Sequence, residues 1–135
     1  MRRLTDSDYR RLLVFRDGLR RFLRWSEDQA AAVGLTPAQH QLLLAIRGHA
    51  GATAPSVGDV AGHLLLRHHS AVELIDRAED VGLVSRTQDP VDQRIVRLGL
   101  TRLGAQRLEE LSELHLDELR RLAPSLRPLW ADLYT

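Results

Sequence analysis

Between Gly34 and Thr101 the chain is cut so closely by start and stop signals that no long helix fits there, and its last part alternates like a strand. Gly34 closes the segment before it as a C-terminal cap. "TPAQ" (36–39) then supplies a Thr cap, a Pro at the first helical position and a Gln at the third, which together take up the free N–H groups of a new helix. That helix carries "HQLLLAIRG" and stops near Gly48. After the small-residue loop "GHAGATAP" (48–55), "SVGD" (56–59) repeats the device. It opens a short helix that buries Val57, Val60, Ala61 and Leu64. A turn around Leu66 leads to another helix, with Ala71, Leu74, Ile75 and Ala78 as its buried stripe and Gly82 as its end. "LVSRT" (83–87) and "RIVRLGL" (94–100) follow, the second with Val96, Leu98 and Leu100 at period two. The charged, proline-containing "QDPVDQ" joins them, so the pair reads as a β-hairpin.

Two longer helices flank this region. Residues from about 6 to 33 place Leu12, Phe15, Leu19, Phe22 and Leu23 at three- and four-residue spacing. Thr101 caps the other, with Leu103, Leu108, Leu111, Leu114, Leu119 and Leu122 at helical spacing. Pro124 is expected to break it, leaving "SLRPLWADLYT" as a last short helix or tail. The chain's 135 residues suit one domain. With no cysteine, disulfides, thiolate metal sites and thiol-oxidation switches are excluded. The apolar runs, such as "LLLAI" (42–46), are far shorter than the roughly 20 residues a membrane span needs. "MRRLTDSDYRRLL" has no apolar core of the secretory type, so the expected location is cytoplasmic. All 19 basic residues are arginine, and eight fall in the first 24 positions.

Helix, helix, short helix, helix, hairpin, long helix is the plan of a winged helix-turn-helix, with the hairpin as the wing. The expected fold class is mainly α (α+β), a winged helix-turn-helix with long N- and C-terminal dimerisation helices. The residues then carry a resemblance. "LTPAQHQLLLAI", "VGDVAGHLLLRHHSAVELIDRAEDVGLVSR" and "DPVDQRIVRLGLTRLGAQRLEEL" are similar to the MarR-type transcriptional regulators. That family's wing reads D-x-x-D-x-R, then a strand and L-T-x-x-G; Asp89, Asp92, Arg94, Leu100, Thr101 and Gly104 fall in those places. "LIDRAEDVGLV" matches the preceding helix of the family, with Ala78 where Leu is usual. The resemblance implies one MarR-like domain over 1–135. Its DNA-binding lobe would span about 36–100, with dimerisation helices at about 4–33 and 101–135.

The cluster "RHHS" (67–70) admits several readings. A serine beside histidines in sequence is no catalytic triad, which must be assembled in space with an orienting third group, so no catalytic residue is assigned. A metal cage of His63, His68, His69 and Glu73 would need ligands converging from a helix face that a DNA reader turns toward the duplex. No metal and no cofactor are assigned. Solvated helix-start residues are the plain alternative for either histidine alone. Recognition helices of this motif set their N-terminal residues against base edges. On that basis Arg67, His68, His69, Ser70, Val72, Glu73 and Arg77 are candidate DNA contacts, with Val72 suited to a thymine methyl and Glu73 to cytosine N4. Arg86, Arg94 and Arg97 are expected to line the same side. Asp92 is placed to hold Arg94, and the resemblance implies that this wing-tip arginine enters the minor groove. Residues 63–100 contain five Arg against six Asp or Glu, so a shallow salt dependence is expected.

The flanking stripes are too apolar to face water, which predicts a homodimer through Leu4, Tyr9, Leu12, Leu119, Leu122, Leu129 and Trp130. Such a dimer would read a pseudo-palindromic operator in double-stranded DNA. By resemblance, a small aromatic ligand would sit near Phe22, Trp25, His40 and Leu44 and release the DNA. The reading is a DNA-binding transcriptional regulator, a repressor, and not an enzyme. The competing reading is a winged-helix module that docks protein instead of DNA, which the acidic far end of the reading helix would favour.

Overall fold

Thr5, Thr36, Ser56 and Thr101 each close an extended stretch and accept on the side-chain oxygen a hydrogen bond from the backbone N–H three residues on. A helix starts at each of these places because a hydroxyl there takes up an N–H that has no partner inside the helix. In the first three the bond is returned, by Asp8, Gln39 and Asp59, to the cap's own backbone. A computed structural model describes residues 3–131 and 133 of the chain. Its elements are α1 (Asp6–Ala32), α2 (Pro37–Arg47), α3 (Val57–Leu64), α4 (His68–Asp80), β1 (Val84–Gln88), β2 (Val96–Leu100) and α5 (Arg102–Trp130).

Helix α2 lies at the centre and touches α1, α3, α4, α5 and β2. Its Leu42 and Leu43 are fully buried, against Val60 of α3, Ile75 and Ala78 of α4, Val84 and Leu98 of the hairpin, and Leu108 and Leu111 of α5. Removing a side chain of that size from water is worth about 1.5–3 kcal/mol. One apolar helix therefore gathers the rest. Between α3 and α4, Leu65 turns the chain with φ of 55° and its side chain in solvent. The Leu66 N–H reaches back to the Ala61 carbonyl at 3.0 Å.

The strands pair antiparallel, Val84 opposite Leu100 and Gln88 opposite Val96. Ser56 bridges Arg97 on the far side of β2, and the Leu98 N–H donates to the Pro55 carbonyl at 2.9 Å. The end of the small-residue loop thus acts as a third strand, which ties the start of α3 to the hairpin. Strand β2 begins at Val96 rather than at residue 94, because residues 89–95 curl around one side chain. The Val91 and Asp92 N–H groups both donate to Asp89 Oδ2, at 3.0 and 2.8 Å, and the Ile95 N–H donates to the Asp92 carbonyl. Arg94 consequently sits on the tip of the hairpin and not in a strand.

The expected break at Pro124 is absent: α5 continues to Trp130 with Pro124 and Pro128 inside it. A proline removes one N–H donor and crowds the carbonyl four residues back, which weakens a helix without having to end it. The Ser125 hydroxyl, next to the proline, also donates to the Leu122 carbonyl at 2.9 Å. Residues 132, 134 and 135 of the expected tail lie outside the described residues.

Helix α4 ends at Gly82 (φ +77°), a left-handed turn that glycine makes without strain. The Leu83 carbonyl then accepts from the Thr101 N–H at 3.1 Å, and the Thr101 hydroxyl donates to the Gly82 carbonyl at 2.5 Å. Gly104 presses directly on this junction, so a Cβ added there would lie 3.0 Å from the Leu83 carbonyl carbon and closer still to its oxygen. The obstructing atoms are backbone. Gly104→Ala should therefore lower stability by about 1–3 kcal/mol in urea unfolding; an unchanged midpoint would show that the junction yields.

Candidate nucleic-acid interface

Alone among the described helices, α4 starts without a side-chain cap, at Arg67. Its first-turn N–H groups have no side-chain cap, and a helix N-terminus of this kind favours negative charge. Ala71, Ile75 and Ala78 are buried and Leu74 half-buried, so the stripe legible in the sequence is the one that packs. Arg67, His68, His69, Glu73 and Arg77 are exposed, and Ser70 and Val72 are half-buried. All seven predicted contacts lie off the packed stripe.

A groove of about 600 Å³ separates α4 from the hairpin. His68, Val72 and Asp76 form its helix side, Arg94, Ile95 and Val96 its hairpin side, and Ser56, Val57 and Gly58 one end. Arg86 also lines it. The start of α3 was not foreseen in this groove. The helix-turn-helix plan itself carried the signal, since the first helix of that motif crosses the backbone its partner reads.

At the wing, Arg94 Nε and one terminal nitrogen donate to the two Asp92 oxygens, each at 3.0 Å, and the Arg94 N–H donates to Asp92 Oδ1 at 3.1 Å. This paired hydrogen bonding holds the Asp92 carboxyl below its usual value and raises the Arg94 guanidinium above its own. The Arg94 side chain is still 90% exposed. It is therefore oriented at its root and free to meet a ligand.

Two of the arginines expected on the same side are held in ion pairs, Arg86 while still lining the groove. Arg86 donates to Glu79 at 3.0 Å and also to Asp76, both on α4. It offsets part of the negative charge at the far end of that helix and pins β1 to it. Arg97 donates to Asp89 at 3.0 Å and to the Ala54 carbonyl at 3.1 Å, so it closes the inner side of the hairpin. Neither spacing nor alternation reveals such pairings, because each partner lies on another element.

A metal cage is not what the histidines build. His63 Nε2 lies 3.0 Å from His49 Nδ1, at the end of α2, while His68 and His69 stand on α4. Among the described residues no group of three His, Cys, Asp or Glu side chains is arranged to hold a metal.

The expected ligand residues divide. Phe22 and Trp25 of α1 meet His115 of α5 at ring distances of 5.9 and 4.8 Å, and His40 of α2 meets the same ring at 4.8 Å. Leu44 is not among them, since it lines a separate cleft with Gln41 and His63. Residue 44 lies one helical turn beyond residue 40, and that step carries it past the rings. His115 and Ser26, which complete the cluster, were not foreseen. Ser26 is 5% exposed and its Oγ lies 2.7 Å from His115 Nε2. Burial, and secondarily the neighbouring His115, keep His40 below the ordinary histidine value. Helices α1 and α5 run antiparallel, joined at one end by this cluster and at the other by the edge-on rings of Phe15 and Trp130. Leu4, Tyr9, Leu12, Leu119 and Trp130 remain exposed in the single chain, while Leu122 and Leu129 are half-buried.

A family model described as the MarR family matches residues 33–95. The HTH-type transcriptional repressor MdtR of Bacillus subtilis is 30% identical over 78 residues, which are 58% of this chain and 48% of that protein. The chain spans about half the length of the curated relatives it matches. AbsC, a MarR family transcriptional regulator from Streptomyces coelicolor, has a similar structure, with a TM-score of 0.72 at 21% identity over 99% of each chain. A mutant of Escherichia coli MarR complexed with operator DNA gives 0.67 at 23% identity, over 80% of this chain and 75% of that one. At these identities the structural likeness is one of fold.

The wing also has a proton dependence. Backbone N–H donors, Asp92 first, and then Arg97 hold the Asp89 carboxyl below its ordinary 3.8. A carboxyl lowered in the folded state stabilises the fold above its unfolded value and loses that contribution as pH falls through the folded one. Asp89→Asn should therefore be less stable than the parent chain at pH 7, with the difference vanishing toward pH 2. A difference that persists in thermal melts at low pH would assign the effect to something other than charge.

Proposed function

We propose that the chain, whose residues 33–95 match the MarR family model, is a transcriptional regulator, a repressor, that binds double-stranded DNA sequence-specifically as a homodimer. One observation carries the reading: an uncapped recognition helix and a rooted but exposed wing-tip arginine border one groove. In this account His68, His69 and Ser70 approach base edges, Val72 and Glu73 discriminate among them, and Arg67 and Arg77 hold phosphates. Arg94 enters the adjacent minor groove, held in position by Asp92. The DNA-complexed MarR and the repressor MdtR, named above, support the assignment.

Residues 36–100 form the reading lobe of a single domain, and the helices on either side pair two copies. The exposed apolar residues of α1 and α5 form a surface that a second copy would cover. Two recognition helices would then face half-sites about 34 Å apart on a pseudo-palindromic operator. The protein works in the cytoplasm and is not an enzyme. No described helix is long and apolar enough to cross a membrane. A small molecule seated among α1, α2 and α5 would release the DNA by binding the non-competent arrangement more tightly. The acids at the far end of α4 weigh less for the protein-docking alternative, since Arg86 pairs with two of them, Asp76 and Glu79.

With Arg86 and Arg97 engaged internally, the cations that α4 and the wing tip offer to phosphate are Arg67, Arg77 and Arg94, the last rooted on Asp92. Six in a dimer give a slope of log K against log salt of about −5. A slope steeper than about −7, from eight or more neutralised phosphates, would contradict this. In gel shifts with the DNA upstream of its own gene, Arg94→Ala should weaken binding by about tenfold or more, with little change in melting temperature. A large loss of stability with affinity retained would make the Asp92–Arg94 pair structural. Sedimentation should give twice the 15.3 kDa chain mass; a monomer at micromolar concentration would sink the dimer.

A further inference from the structure

A cleft of about 170 Å³ opens between the end of α1 and the start of α2, lined by Leu23, Ser26, Glu27, Pro37, His40 and Gln41. Its hydrogen-bonding character follows from one carbonyl. The Leu111 oxygen lies 2.7 Å from His115 Nδ1 and can only accept, so that nitrogen carries a proton. In the neutral ring Nε2 is then the acceptor, and the Ser26 hydroxyl, 2.7 Å away, must donate to it. The one Ser26 proton is committed, and only its lone pairs are left for the cleft. Glu27 adds a carboxylate that makes no hydrogen bond or ion pair among the described residues. Arg24, one turn earlier on α1, is paired instead with Asp28 at 3.9 Å. No arginine is among the described residues lining the cleft, and His40, buried and lowered, is held toward its neutral form. Acceptors and one unpaired negative charge therefore meet beside apolar walls from Leu23 and Pro37.

The geometry points to a binding site for a small protonated amine carrying a single ring. An ammonium donates to Glu27, Ser26 and the Gln41 carbonyl together. A carboxylate or phenolate would meet Glu27 with no cation to receive it. The volume sets the size, since a cavity of about 150 Å³ accommodates one benzene ring. This rests on the regulatory reading and deepens it by narrowing the small aromatic ligand to one that carries a protonated amine.

The test uses the whole chain, free of DNA, so that its failure and a failure of DNA binding are separate results. Isothermal titration at pH 7.5 compares benzylamine with benzoate on the parent chain and on Glu27→Gln, whose exposed position leaves the fold intact by circular dichroism. Benzylamine should saturate at one site per chain, Glu27→Gln should weaken it by about tenfold, and benzoate should not bind over the same range. The inference is overturned if benzylamine fails to bind, if benzoate binds as tightly, or if Glu27→Gln leaves the benzylamine affinity unchanged.

Discussion

The turn from Gly82 to Leu83, clasped by Thr101 and pressed by Gly104, joins four elements at one point. Helix α4 ends there, β1 begins, β2 finishes and α5 starts. Thr101 has three tasks: its N–H holds the Leu83 carbonyl, its hydroxyl holds the Gly82 carbonyl, and the same oxygen caps α5 through Gly104. Because α5 is also one of the two helices proposed to meet a second copy, this junction links α4 and the hairpin directly to the proposed dimer helix. That link is what would let a ligand near α1, α2 and α5 change the spacing of two reading heads.

A second constraint is the division of labour among arginines. A net charge of +1 is too small to attract DNA by bulk field, so placement decides. Arg97 and Asp89 lock the base of the hairpin, Arg86 ties it to α4, and Asp92 aims Arg94 outward. Internal pairs spend their charge on geometry, and few cations remain for phosphate. If the chain reads DNA as proposed, its discrimination comes from shape and base contacts more than from electrostatic attraction.

The local part of this design was legible in the sequence. Caps at Thr36, Ser56 and Thr101, stops at Gly34 and Gly82, and the period of Val96, Leu98 and Leu100 depend on neighbours within a few residues, and the elements appear where they were expected. The buried stripe of α4 followed for the same reason, and with it the faces left exposed. Features made by residues distant in sequence were hidden. Arg86 reaches back across ten residues to Asp76, and Arg97 across 43 to the Ala54 carbonyl. Ser26 and His115, separated by 89 positions, meet only once α1 and α5 pack. Leu44, named with His40 by resemblance, lies one turn further along the helix and lines a separate cleft. Pro124 misled because a helix as long as α5 tolerates the loss of one hydrogen bond that would end a shorter one.

The central claim is that two copies set the N-terminal ends of their α4 helices into successive grooves on one face of a duplex. Hydroxyl-radical footprinting on the operator isolated by selection from random DNA tests it directly. The account predicts two protected patches related by two-fold symmetry, one helical turn apart, with protection in the minor groove at their outer flanks that Arg94→Ala removes. A single patch, or two patches on opposite faces of the duplex, would contradict it.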